Sequence, residues 1–137
     1  MLILIGDISL LGETFIWDIN AFANNWVEAG PLNIARKEFA MFTYNGVIYA
    51  AGGLDDTGTK LTSVEEFDLA TLTWSLSSLV LPYGGRAEFA FSCTSNVVHI
   101  IVNRQYFIYL DNNLVFKDII ALPDDLSGKF VLYVVIF

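Results

Sequence analysis

Residues 45–56 read NGVIYAAGGLDD. Asn45-Gly46 supplies the two positive-φ positions of a tight hairpin turn, so the runs on either side of it, 38–44 (EFAMFTY) and 47–51 (VIYAA), are expected to pair as antiparallel strands. Gly52-Gly53 ends the second strand and a polar loop follows, DDTGTK at 55–60. A third strand is expected at 62–68 (TSVEEFD) and a fourth around 73–75 (TWS), after a turn at Ala70-Thr71. The unit is a four-stranded antiparallel meander. No segment of the chain combines helical periodicity with capping residues over a useful length.

A single meander cannot bury both of its faces, which makes internal repetition the next question. The run 45–51 aligns with 95–101 (SNVVHII) at an offset of 50, and Arg36 and Arg86 stand at the same offset. Trp26 precedes Trp74 by 48, and 3–7 (ILIGD) takes the place that 50–54 takes in the central unit. The first repeat is therefore entered at its second strand.

Four short strands per ~50 residues, a double glycine after strand two and a Trp near strand four are the marks of one kind of propeller blade. Over Arg36 to Trp74 the sequence resembles the kelch repeat family: an Arg before strand one, Asn45-Gly46, Ile48-Tyr49, Gly52-Gly53, then VEEFD at 64–68 and Trp74 six residues after Asp68. The flanking units depart from that pattern. The first keeps one glycine, Gly6, and has Asn20 in the Asp slot; the third has Val102-Asn103 for the double glycine and Phe116 for the Trp.

The resemblance implies an all-β fold, an incomplete kelch-type β-propeller of four-stranded antiparallel blades. Residues 1–30 then form a blade lacking its first strand, 31–79 the best-matching blade and 80–120 a degenerate one, and 121–137 hold a spare strand of a further blade. Tyr49, Gly52, Gly53, Asp68 and Trp74 are read as structural, with the glycines permitting close backbone approach and the aromatics filling space between sheets. Two readings of the ends stay open. The chain is a piece of a longer kelch protein, or its uncharged segment 130–137 (FVLYVVIF), entered at Lys129, completes the first blade of a second copy, giving a homodimer that closes a six-blade ring.

The 137 residues are 55% apolar and 15% aromatic, which suits one domain with a real core and excludes a disordered chain. The net charge of -8, with no Lys/Arg run, makes nucleic acid an unfavourable partner. No apolar run reaches the ~20 residues of a membrane-spanning helix, and the N-terminal residues lack the basic region of a signal peptide. Cys93 is alone, so there is no internal disulfide framework; with no N-x-S/T sequon, a reducing, cytoplasmic setting fits best.

Chemistry is sparse. The 53–60 segment (GLDDTGTK) nearly spells a phosphate loop, but Thr and Lys stand in the wrong order and a strand follows. Asp55-Asp56 and Asp124-Asp125 lack the alternating spacing of a cation loop and read as turns. His99 falls in the strand slot of Tyr49 and Cys93 among Phe89, Ala90 and Phe91, both packing positions. One His and one Cys cannot build the copper centre of some kelch-like oxidases, and no nucleophile-base-acid spacing is discernible. The expectation is a non-enzymatic module with no cofactor and no metal.

What remains is binding. The resemblance implies protein or peptide partners, with scaffold roles, substrate recognition for ubiquitin ligases and actin binding all found in the family. Arg36 and Arg86 open strand one of consecutive blades, from which substrate adaptors of the family present arginines to acidic peptides. The alternative for each is a structural arginine paired with Glu38, Glu65 or Asp68. Asp55, Asp56 and Lys60 on one loop and Tyr83 on 82–85 complete the candidate set.

Overall fold

The computed structural model describes residues 2–5, 12–17, 26–85, 87–93, 97–102, 105–110 and 113–119. Every regular element among them is a strand, arranged in three antiparallel sheets. Sheet 1 contains β1 (Leu2–Ile5), β2 (Thr14–Trp17) and β3 (Trp26–Ala29) in that order. Sheet 2 contains β4 (Ala40–Tyr44), β5 (Val47–Ala51), β6 (Ser63–Asp68) and β7 (Thr73–Val80), again in chain order. Sheet 3 contains β8 (Ala87–Cys93), β9 (Val97–Val102), β10 (Gln105–Leu110) and β11 (Asn113–Ile119). Among the described residues the fold is all-β, as expected from the sequence, with two antiparallel sheets of four strands and one of three.

The decisive turn forms as its residues dictate. Asn45 and Gly46 both take positive φ, 48° and 76°, and close the Tyr44↔Val47 pair, so the register of β4 on β5 is fixed from the hairpin outward. Three boundaries differ from the sequence reading, the third strand only by starting at Ser63 rather than Thr62. The first strand of the sheet begins at Ala40 rather than Glu38, because Glu38 turns the chain at φ 53° and Lys37 pairs with Leu54 instead. The fourth strand runs on to Val80, through a bulge that sets Leu76 opposite Glu65 and Val80 opposite Ser63.

Sheet 2 is buried on both faces, which explains why β5 reads as an unbroken apolar run rather than an alternating one. Ile48, Ala50, Phe67 and Trp74 face Ile16, Ala29 and Leu32 of the sheet 1 side. Phe42, Tyr44, Tyr49, Ala51 and Val64 face Val98 and Ile100 of sheet 3. Phe42 and Tyr49 stack with ring centroids 5.2 Å apart, and Phe67 and Trp74 meet at 4.9 Å, so aromatic area supplies much of both layers.

The polar end of Trp74 is used as well. Its indole Nε1 donates to Thr14 Oγ1 at 2.9 Å, a buried bond that crosses from sheet 2 to sheet 1. The Gly30 amide donates to Leu72 O at 2.8 Å, so the two sheets are also joined backbone to backbone. Trp26, 48 residues earlier, is 44% exposed where Trp74 is 6% exposed. The same residue type in corresponding strands thus differs by whether a neighbouring sheet covers it.

Candidate functional site

The double glycine organises one end of sheet 2. Gly53 sits at φ 86°, and a Cβ there would lie 2.5 Å from the Lys37 carbonyl oxygen and 2.9 Å from Phe39 Cβ, so only glycine lets these backbones meet. Three segments converge on it: the Gly53 amide donates to Gly85 O at 2.8 Å, and its carbonyl accepts from the Leu61 amide at 2.9 Å. One residue on, Leu54 exchanges both backbone bonds with Lys37, each 2.9 Å.

Behind this junction lies Arg36, fully buried, with every guanidinium N–H engaged. Nη2 donates to Glu65 Oε2 at 2.8 Å and to Ser63 Oγ at 3.1 Å; Nη1 donates to Gly52 O and Ser63 O, both 2.9 Å; Nε donates to Ile34 O at 3.4 Å. Five donors meet five acceptors. Glu65, also fully buried, completes the knot: Oε1 accepts from the Asn33 amide at 2.6 Å and from Asn33 Nδ2 at 2.9 Å, while Oε2 accepts from the Ile34 amide at 3.2 Å as well as from Arg36. Asn33 Nδ2 also donates to Trp74 O at 2.9 Å. Burial pulls the Arg36 pKa below its ordinary value, and the hydrogen bond and charge of Glu65 oppose that pull.

Arg36 is therefore the structural arginine of the two alternatives, paired with Glu65 rather than with Glu38 or Asp68. A guanidinium that is 0% exposed and has no spare donor cannot grip a peptide. Arg86 lies outside the described residues, as do 94–96 and 120–137, the latter holding the expected spare strand at 129–137.

The loop residues have separate fates. Asp55 Oδ1 accepts from the Thr57 hydroxyl at 2.7 Å and from the amides of Thr57 and Thr59 at 2.9 and 2.8 Å. These bonds, the Thr57 hydroxyl first, hold its carboxyl below the usual carboxylate range, so Asp55 serves the turn. Asp68 does the same for the next turn, where the amides of Ala70 and Thr71 lower its pKa. Asp56 and Lys60 are exposed, and Tyr83 is 52% exposed. The structure brings Lys60 and Tyr83 to one end: a Cβ on Gly84, next to Tyr83, would lie 2.9 Å from Lys60 O and 2.8 Å from Leu61 O.

Sequence reasoning missed Lys37. Leu54 bridges Lys37 on one side and Lys60 on the other, so the three residues form one rung with side chains on a common face. Two ladder spacings put the lysine Cα atoms roughly 10 Å apart. Neither ammonium has an ion pair or hydrogen bond among the described residues. Only the position of Lys37 beside Arg36 was visible beforehand, and its pairing with Leu54 depends on the Glu38 turn.

His99 in β9 is half-buried, and burial holds its imidazole below the usual range. Cys93 ends β8. Among the described residues, no group of three or more His, Cys, Asp or Glu is placed to hold a metal ion, and no helix is long and apolar enough to cross a membrane.

The kelch motif family matches residues 35–78, the span that holds Arg36, the double glycine, Glu65 and Trp74. Residues 35–78 are a kelch repeat. The chain is also similar to alpha-scruin of Limulus polyphemus, 31% identical over 86 residues, which are 62% of this chain and 9% of that protein. An F-box/kelch-repeat protein of Arabidopsis thaliana is 33% identical over 85 residues, 61% of this chain and 23% of the relative. Beta-scruin of Limulus polyphemus is 30% identical over 83 residues, 60% of this chain and 9% of that protein. The chain thus spans less than a quarter of the length of these relatives.

Proposed function

We propose that this kelch chain is a non-catalytic protein-interaction module whose contact surface is the rung Lys37, Leu54 and Lys60 with the adjoining Tyr83. The observation that carries the reading is the pair of ammonium groups across Leu54, without an ion pair among the described residues, beside a half-exposed aromatic, on a backbone pinned by the double glycine. A rigid scaffold that presents loops with cationic, apolar and aromatic side chains suits an extended protein segment with carboxylates flanking an apolar residue. The likeness to an F-box/kelch-repeat protein extends the proposal to recognition of substrates for a ubiquitin ligase.

The test is fluorescence anisotropy with a labelled hexapeptide alternating Glu and Leu. The intact chain binds it, and Lys37→Ala/Lys60→Ala weakens binding at least tenfold with unchanged unfolding. Equal affinity of the two proteins contradicts the reading.

A second reading concerns assembly. Sheet 1 has three strands among the described residues, with β1 at an edge where sheets 2 and 3 carry a fourth strand. We propose that residues 129–137 of a second copy pair with that edge, closing a six-blade homodimer. Light scattering on the intact chain and on one ending at Gly128 tests this: a dimer that becomes monomeric on truncation supports it, and an intact monomer refutes it.

A further inference from the structure

At the end of sheet 2 opposite the double glycine, the two hairpin turns enclose a groove of about 380 Å³. Its wall includes Val47, Leu69 and Gly46 with the carboxyl-bearing Glu66 and Asp68 and the Ser75 hydroxyl. Leu69 is 40% exposed, and Val47 packs only partly against the core. Among the described residues, no Lys or Arg lines the groove.

The two carboxylates differ from Glu65 of the same sheet in having no ion pair among the described residues. Glu65 is saturated by Asn33, Ile34 and Arg36. Asp68, which is exposed, accepts at Oδ1 from the amides of Ala70 and Thr71, and the Thr71 hydroxyl also hydrogen-bonds its carboxylate. Glu66 is half-buried, yet among the described residues its carboxylate has neither hydrogen bond nor ion pair. Partial burial strengthens the field of such a group, and among the described residues no cation on the wall offsets it.

We propose that this groove is a second docking site, which takes an extended protein segment presenting a lysine or arginine next to an apolar residue. The aliphatic stem lies along Val47 and Leu69, and the cationic head meets the carboxylates of Glu66 and Asp68. The groove and the Lys37–Lys60 rung stand at opposite ends of the sheet and carry opposite charge, so one kelch unit joins two partners of opposite sign. The failure of either site leaves the other intact.

The experiment uses the full chain and a labelled hexapeptide alternating Arg and Leu, followed by anisotropy. Glu66→Gln/Asp68→Asn removes two charges, while the carbonyl oxygen of the new side-chain amide at the second position still accepts from the turn amides. Glu13→Gln/Glu28→Gln removes two exposed charges elsewhere and serves as the control. The groove variant is expected to weaken binding at least tenfold, and the control to change it less than twofold. Equal losses in both variants reduce the effect to net charge and overturn the proposal, as does no binding by the parent chain. Ala70→Arg, at an exposed turn position, places a cation at the groove without touching the capping carboxylate; with an unchanged thermal midpoint it too is expected to abolish binding, and retained binding overturns the proposal.

Discussion

Arg36 and Lys37 are neighbours in the chain, carry the same charge and have opposite uses. Arg36 points behind the double glycine into a knot where five donors and five acceptors are matched at 0% exposure. Lys37 lies in front of it, in a rung where only the backbone is paired. The difference teaches that a basic residue before strand one does not by itself mark a ligand site. At Glu38, φ 53°, the chain turns just after the Lys37–Leu54 pair, so Arg36 and Lys37 enter different pairings.

The largest effect is expected on the buried side of that contrast. Glu65→Leu leaves the buried Arg36 charge without its counter-ion and two backbone amides without acceptors, and removing one member of a buried pair costs about 3–5 kcal/mol. Urea denaturation checks the size; a loss under ~1 kcal/mol, the range of an exposed ion pair, would erase the contrast. Gly53→Ala comes next, since it forces a Cβ against Lys37 O at φ 86°, and about 2 kcal/mol is expected from strain of this class. It would also disturb the rung in front, so loss of acidic-peptide binding should accompany it.

A smaller effect tests how the sheets are joined. Trp74→Phe removes the donor to Thr14 Oγ1, and Thr14→Val removes the acceptor; each single change should cost about 1–2 kcal/mol by leaving one buried polar group unmatched. The double variant should cost less than the sum, as measured by a double-mutant cycle. Strict additivity would mean that the bond contributes nothing to the packing of sheet 2 on sheet 1.

Most of the fold was legible because its decisive residues act locally. Asn45-Gly46 can close only one kind of hairpin, and the Gly52-Gly53 and Trp74 spacing identifies the repeat without help from distant residues. The strand ends were less legible: the start of β4 depends on Glu38 taking positive φ, and the extension of β7 on a bulge opposite β6. The site was the least legible part. That Arg36 pairs with a carboxylate was one of two open readings, but choosing Glu65 over Glu38 or Asp68 requires knowing that β6 turns Glu65 inward beside Ala50. Lys60 and Tyr83 were named from their loops, whereas Lys37 enters only through a backbone bridge that no sequence pattern encodes.

The most direct test of this account is urea unfolding of two charge-conserving variants side by side, Arg36→Lys and Lys37→Arg. Lysine has three donors on one atom and cannot reproduce the planar fork, so Arg36→Lys is expected to lose about 3 kcal/mol, while Lys37→Arg, at a rung with no side-chain partner, should stay within ~0.5 kcal/mol. Similar stabilities for the two would contradict the division of labour between these neighbouring cations.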